Sequence, residues 1–300
     1  MSVKTIASVL LASACLLRPS VGNAELLSRI ASAKAVTIAY REASFPFSYL
    51  DDQRAPIGYS IDICKSIVEA IRKHLKLSEI ETRFIPVTSA TRFQAISEGK
   101  ADLECGSTTN NAARRKIVDF TIPHYISSSR FIVRRADNIK EIEDLRGKRV
   151  VSTKGSTNLD TLRKLSEGRL LNLTIDSVDD HAKGFSEVEA GRAYAFAMDD
   201  VLLFGFKARA KNPDDFDVIG KALSIEPYAI MFPKGEPTFK RLVDEHVARL
   251  ALGGELKALY QRWFERSTPP DGINLKLPMP LMLREVIRVP RSTVNDWYLD

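Results

Sequence analysis

The chain has 300 residues, 44% hydrophobic and 27% charged, the balance of a globular protein long enough for two ordinary domains. Its formal charge is +6; with no dense Lys/Arg run flanked by aromatics, that charge does not mark a nucleic-acid surface. Three cysteines and four histidines, with no second histidine at metal-ligand spacing, argue against zinc chemistry.

Residues 1–24 read as a secretory leader. Lys4 gives a positive start, residues 9–17 an apolar core, and Gly22-Asn23-Ala24 a small-residue cleavage site before Glu25. Arg18 and Pro19 cut the apolar run short of the ~20 residues a membrane anchor needs. A rival reading takes Leu11-Ala12-Ser13-Ala14-Cys15 as a loose lipobox with Cys15 lipidated. Cleavage after Ala24 is preferred, because Arg18-Pro19 would follow a lipidated Cys15 unusually closely. Loss of Lys4 and Arg18 leaves a mature charge of +4.

A first strand over 36–39 leads to Arg41, placed at the strand end where ligands collect in open α/β sheets; a surface salt bridge is the alternative. Phe45, Phe47 and Tyr49 either wall a cleft or pack a loop. Cys64, Ile67, Val68, Ile71 and Leu75 then recur at helical spacing, which predicts a packing helix after Gly58. A strand over 81–87 is followed by Thr88-Ser89-Ala90-Thr91-Arg92-Phe93, a loop and helix start. Ser89 is placed to cap that helix. Arg92 in its first turn opposes the helix dipole unless an anion is near.

The stretch from 101 to 121 organises the chain. Ala101, Leu103 and Cys105 form a strand that ends in Gly106-Ser107-Thr108-Thr109, and Asn110 and Asn111 then cap a short helical turn carrying Arg114 and Arg115. A strand end that opens onto hydroxyls, helix N–H groups and an arginine is a receptor for a carboxylate. A capped loop with solvated arginines is the plain alternative.

The chain then crosses over. Strands over 127–134 and 148–152 flank a short helix at 141–145, and Lys154-Gly155-Ser156-Thr157-Asn158 leads into a helix bearing Leu159, Leu162 and Leu165. This second sequence of strand, Gly-Ser-Thr and helix start suggests one ligand held between two lobes. After a strand over 173–178, Asp180-His181 opens another helix. A buried strand over 193–198 ends in Asp199-Asp200, where Asp199 either receives an ammonium group or caps the helix over 201–207. Strands over 217–220 and 227–232 return the chain, with Glu226-Pro227-Tyr228 as the crossing. An amphipathic helix over 239–250 and the apolar face of Leu256, Leu259, Tyr260, Trp263 and Phe264 precede Thr268-Pro269-Pro270. Residues 271–300 are punctuated by proline and are expected to drape over the surface. Cys64 falls on an apolar helix face and Cys105 in a buried strand, so they are read as two buried thiols rather than a disulfide.

Five stretches together carry a resemblance: Arg-Glu-x-Ser-x-Pro-Phe-Ser-Tyr at 41–49, Thr-Ser-x-x-Arg at 88–92, Glu-Cys-Gly-Ser-Thr-Thr-Asn-Asn at 104–111, Asp-His at 180–181 and Met-Asp-Asp at 198–200. From residue 36 to about 270 the chain resembles the periplasmic glutamate/aspartate-binding proteins of ABC importers, in the polar amino-acid-binding solute-binding family 3. The resemblance implies an α/β, two-lobed periplasmic-binding-protein-like fold of type II, with two crossover strands as hinge. Lobe I would comprise 25–130 and 227–270, lobe II the inserted 131–226, and 271–300 a C-terminal extension. The protein would be a monomeric periplasmic receptor with no cofactor. It would hold an acidic amino acid in the interlobe cleft and deliver it to a membrane permease.

By the same resemblance Arg114 clamps the α-carboxylate, helped by Thr109, Ser156 and Thr157. Ser107 and Asp199 hold the α-ammonium. Arg41, Ser89, Arg92 and His181 surround the side-chain carboxylate. Three arginines and a histidine against one aspartate suit a dicarboxylate with one ammonium, and such a cleft is expected to open when empty and close around ligand. Ala113 stands where relatives often carry an acid. The return strand lacks the cysteine expected in close relatives, which leaves Cys105 expected to be unpaired. The alternative function is an exported dehydratase or transglycosylase-like enzyme on the same fold. Such an enzyme needs a general acid, for which Glu42 and Glu104 are the spare candidates.

Overall fold

The computed structural model describes residues 25–291, so the leader, its cleavage site and Cys15 lie outside the described residues. α1 (Leu26–Ala33) buries Leu26, Leu27 and Ile30 beside β1 (Ala35–Tyr40), whose Val36, Ile38 and Ala39 are core residues. A ribbon of β2 (Ala43–Ser44), β3 (Ser48–Leu50) and β4 (Pro56–Ile57) precedes α2 (Tyr59–His74). That helix buries Cys64, Ile67, Val68 and Ile71, the face its spacing predicts. Then come β5 (Glu81–Pro86), α3 (Arg92–Ser97), β6 (Leu103–Glu104) and β7 (Val118–Phe120), followed by the long β8 (Tyr125–Arg134).

β9 (Arg149–Thr153), α4 (Thr157–Gly168), β10 (Thr174–Val178), α5 (His181–Glu189), β11 (Ala195–Asp199), α6 (Asp200–Arg209) and β12 (Phe216–Ile219) alternate strand and helix. β13 (Ile225–Tyr228) and β14 (Met231–Pro233) bring the chain back to α7 (Pro237–Leu252), α8 (Glu255–Tyr260) and α9 (Leu281–Arg288). One sheet has the order β5-β1-β6-β14-β7 and another β10-β9-β11-β8-β12. Parallel pairs β1–β5, β1–β6, β9–β10 and β9–β11 point their carboxyl ends toward the connections that carry the candidate site.

β8 and β13 link the two sheets as an antiparallel pair, in register from Ile225–Ser128 to Tyr228–Tyr125. The pair stands on an aromatic cluster: the Phe47 ring lies 4.8 Å from Tyr125 and 5.0 Å from Tyr228, and Tyr125 lies 5.0 Å from Phe264. Edge-on and offset contacts of this kind stabilise beyond the area they bury. Phe45 and Phe47 are buried, so this loop packs the interior rather than walling a cleft.

One expectation fails here. Cys64 and Cys105 are joined in a disulfide, with Cα atoms 6.3 Å apart. Both side chains are fully buried, as their patterns predict, but periodicity cannot say that the α2 face carrying Cys64 lies against the end of β6. The bond staples that strand end to α2. The tail keeps to the surface over 271–291, as expected, with Leu283 as its one buried residue. Beyond Pro270 it packs Leu275, Leu277 and Met279 on the core and forms α9, with Leu283 buried. A short helix with one buried leucine gives too weak a periodic signal to read among prolines.

Alkylation of the denatured mature protein is expected to label neither cysteine before reduction and both afterwards. The disulfide closes a sequence separation of 41 residues, and its loss typically costs ~2–5 kcal/mol. Urea unfolding with and without reductant measures this; equal midpoints would contradict it.

Candidate functional site

Three arginines from the first sheet's connections converge on the second. Arg41 follows β1; its backbone N–H donates to Ser48 Oγ (2.8 Å), and that hydroxyl donates back to the Arg41 carbonyl (3.0 Å). Its Nη2 reaches His181 Nε2 at 3.2 Å. Arg92 opens α3, and its Nη2 donates to the Gly155 carbonyl at 3.3 Å. Arg114 donates to the same carbonyl (3.4 Å) and to Thr109 O (2.8 Å). The Phe93 ring lies 4.9 Å from the Arg92 guanidinium and 5.1 Å from that of Arg114, within cation–π reach. Gly155 has φ +76°, and a Cβ there would fall 2.8 Å from Ser89 O. The two sheets' connections therefore meet backbone to backbone at this glycine.

Arg41 and Arg92 are each only 2% exposed. Burial lowers the pKa of both, and the charges of Arg114 and Arg41 lower Arg92 further, against the opposing pull of Glu104 and Asp199. Arg41 Nη1, Arg92 Nε and Ser89 Oγ are buried without a hydrogen-bond partner. Three buried donors without a partner are costly, and an anion accepting from them removes that cost. Glu104 is buried too, with neither oxygen hydrogen-bonded. A side chain on Gly106 would fall within 2.6 Å of Glu104 Oε1 and 2.7 Å of Arg41 Cγ, so only glycine fits between them.

His181 is not the cation that the charge count assumed. A guanidinium has no acceptor, so His181 Nε2 must accept from Arg41, which leaves the proton on Nδ1. That proton points to Thr153 Oγ1 at 2.8 Å, and the Thr153 hydroxyl donates on to Met198 Sδ. Burial and the charges of Arg41 and Arg92 hold the His181 pKa well below its usual value. His181 thus orients Arg41 as a neutral imidazole.

Asp199 ends β11 and occupies the N-cap position of α6 without a side-chain cap bond. Asp200 takes the Val201 N–H instead. Asp199 accepts from Asn158 Nδ2 at 3.1 Å and from the Tyr228 hydroxyl. Burial and the nearby Glu226 charge raise its pKa. Ser156 caps α4, accepting from Leu159 N at 3.2 Å and donating to Thr153 O at 2.7 Å, so its hydroxyl is committed within the protein. Ser89 does not cap α3; Thr88 and Thr91 close that turn through reciprocal bonds. Ser107 Oγ donates to Ser44 Oγ at 3.3 Å. Arg114, Ser156 and Thr157 also line a cavity of about 430 Å³ with Lys154, Asp160 and Arg163.

Glu226 is the residue the sequence reading missed. It is 2% exposed, and its Oε2 accepts from Thr109 Oγ1 at 2.6 Å and Thr157 Oγ1 at 2.8 Å. The one signal was a lone carboxylate in an otherwise apolar crossing strand. With Glu104, it brings the carboxylates gathered at the site beyond the single aspartate expected. Among the described residues no group of three or more His, Cys, Asp or Glu is placed to hold a metal ion, and no helix is long and apolar enough to cross a membrane.

The buried imidazoles carry a pH dependence. Burial lowers His124 to about 3, while an unfolded histidine titrates near ~6.5. Between these values the unfolded chain binds more protons, so stability is present above pH ~6.5 and is lost as pH falls, by up to ~1.4 kcal/mol per unit for each such group. Nitrogen-detected NMR is expected to show His181 as the Nδ1–H tautomer throughout pH 8 to 5; a transition in that range would contradict the assignment.

The family model for bacterial extracellular solute-binding proteins, family 3, matches residues 36–266. The chain is 40% identical over 271 residues to the L-glutamate/L-aspartate-binding protein of Pseudomonas aeruginosa, covering 90% of each chain. It is 37% identical over 274 residues to the glutamate/aspartate import solute-binding protein of Escherichia coli K12, covering 91% of this chain and 90% of the relative. The solved cysteine-binding protein of Campylobacter jejuni shares the fold, with a TM-score of 0.71 at 24% identity over 80% of this chain and 93% of that one. A match of this extent decides the family: the chain belongs to the bacterial extracellular solute-binding proteins, family 3.

Proposed function

We propose that the protein is the periplasmic receptor of an amino-acid ABC importer, binding glutamate or aspartate reversibly between its lobes and presenting it to a membrane permease. The observation that carries the reading is the convergence of Arg41, Arg92 and Arg114, with Arg41 Nη1, Arg92 Nε and Ser89 Oγ buried and unpartnered. A dicarboxylate supplies the acceptors these donors lack. Two relatives that cover most of the chain carry glutamate and aspartate in their names and are binding proteins rather than enzymes.

In this reading lobe I comprises 25–130 and 227–270, lobe II 131–226, and the paired β8 and β13 form the hinge. Arg41, Arg92 and Ser89 take the side-chain carboxylate, with neutral His181 holding Arg41 in place. Arg114 takes the α-carboxylate, and Asp199, with Ser107 beside it, the α-ammonium. The lobes close by bringing Gly155 onto the Ser89 loop, and the protein acts as a monomer. An enzyme would need a general acid at the ligand; Glu42 is exposed, and the Glu104 charge acts on the arginines.

Replacing one partner of a buried charge pair costs ~3–5 kcal/mol. Arg92→Met is expected to weaken glutamate by roughly that much and glutamine far less, because the glutamine side chain carries no charge to lose. Calorimetric titration of both ligands checks this. Equal losses would remove Arg92 from the side-chain carboxylate.

A further inference from the structure

Gly106 sits between two unlike neighbours. On one side α2 grips the loop: Ser60 Oγ donates to the Gly106 carbonyl at 2.8 Å, and Cys64 holds Cys105 through the disulfide. On the other lie the Arg41 side chain and Glu104, which leave no room for a Cβ on this residue. Gly106 O and the Ser107 N–H belong to one planar peptide unit and point opposite ways. With the carbonyl held toward α2, the Ser107 N–H turns away from that helix.

The residues on either side have bonds of their own. Cys105 N–H donates to Ala39 O at 2.9 Å, and Thr108 O accepts from Ala229 N at 3.0 Å. The peptide between them is held through its carbonyl by Ser60. A glycine has no Cβ to hinder its rotation, and Arg41 Nη1 and Arg92 Nε are buried donors without partners. Such donors favour any carbonyl that can turn toward them. The Gly155 carbonyl already serves Arg92 and Arg114 in this way. A flipped Gly106 carbonyl would face the arginine side as a further internal acceptor, in competition with a bound carboxylate.

His124 secures the lock. The Ser60 proton is committed to Gly106 O, so the 3.0 Å contact between Ser60 Oγ and His124 Nε2 takes its proton from the imidazole. His124 is therefore the Nε2–H tautomer, the opposite of His181, and its Nδ1 is buried with no partner. A fully buried imidazole with one unpaired nitrogen costs more than an apolar side chain would, which argues that its donor is kept for use. Its backbone is pinned where β8 begins: its N–H donates to Tyr228 O at 2.8 Å, and its carbonyl accepts from the Tyr59 hydroxyl at 2.9 Å.

We propose that Ser60 and His124 are positioning residues for ligand binding: the chain from His124 through Ser60 to the Gly106 carbonyl keeps that carbonyl turned away from the buried arginines. The proposal rests on the amino-acid receptor reading and adds what keeps the protein's own backbone out of the anion's place.

Equilibrium binding of labelled glutamate is measured for the wild type, Ser60→Ala, Ser60→Thr, His124→Leu and His124→Gln, with a thermal melt of each. Threonine keeps the hydroxyl, and glutamine keeps an N–H near the place of Nε2. The expected result is a loss of tenfold or more in Ser60→Ala and severalfold in His124→Leu, most of it recovered in Ser60→Thr and His124→Gln. Nitrogen-detected NMR is expected to show His124 as the Nε2–H tautomer. The Gly106 carbonyl and Ser107 amide signals are expected to move in Ser60→Ala and to stay in Ser60→Thr. If one pair of variants does not fold, the other carries the test. Equal losses in the disruptive and conservative variants, undiminished binding in Ser60→Ala, or an Nδ1–H tautomer at His124 would overturn the proposal. The NMR readout needs no ligand, so a wild type that binds no glutamate but shows the Nε2–H tautomer would overturn the receptor reading and leave the peptide lock standing.

Discussion

The interlobe cleft is governed by the cost of withdrawing the guanidinium groups of Arg41 and Arg92 from water beside that of the half-buried Arg114. Burial above all lowers the pKa values of Arg41 and Arg92, and the charges of the neighbouring arginines lower them further. Charges in such a place persist only where hydrogen bonds and opposite charges compensate them. The protein offers part of that compensation itself: the Gly155 carbonyl accepts from two of the arginines, and neutral His181 accepts from the third. Each of these bonds crosses from one lobe to the other, so the electrostatics of the site and the closure of the lobes are one problem.

The scaffold keeps the geometry of that problem fixed on one side. The disulfide pins the end of β6 to α2, directly before the Gly106–Thr109 run, and the aromatic cluster of Phe47, Tyr125, Tyr228 and Phe264 anchors the crossing strands. The other sheet meets the first backbone to backbone at Gly155, where any larger residue would strike the Ser89 carbonyl.

Much of this was legible because strand ends and helix starts announce themselves. Arg41, Arg92, Arg114 and Asp199 were found at strand or helix boundaries, and the structure brings all four to one place. Arg92 in a first helical turn was a local conflict in the sequence, and the buried cluster of like charge is its physical counterpart. What could not be read was pairwise. The Cys64–Cys105 bond depends on which face of α2 meets β6, and the neutrality of His181 depends on Arg41 pointing at it from another element. Ser156 lies beside Arg114 and Thr157, but its hydroxyl closes its own helix. Glu226 escaped notice because a lone glutamate in an apolar strand gives no hint of the two threonines, 117 and 69 residues away in sequence, that donate to it.

The central claim is that these arginines hold an acidic amino acid. Its most direct test is calorimetric titration of the refolded, ligand-stripped mature protein with glutamate, aspartate, glutamine and arginine. The account predicts micromolar or tighter binding, about −8 kcal/mol or better, for the acidic pair alone. Binding of arginine, or of none of the four, would contradict it.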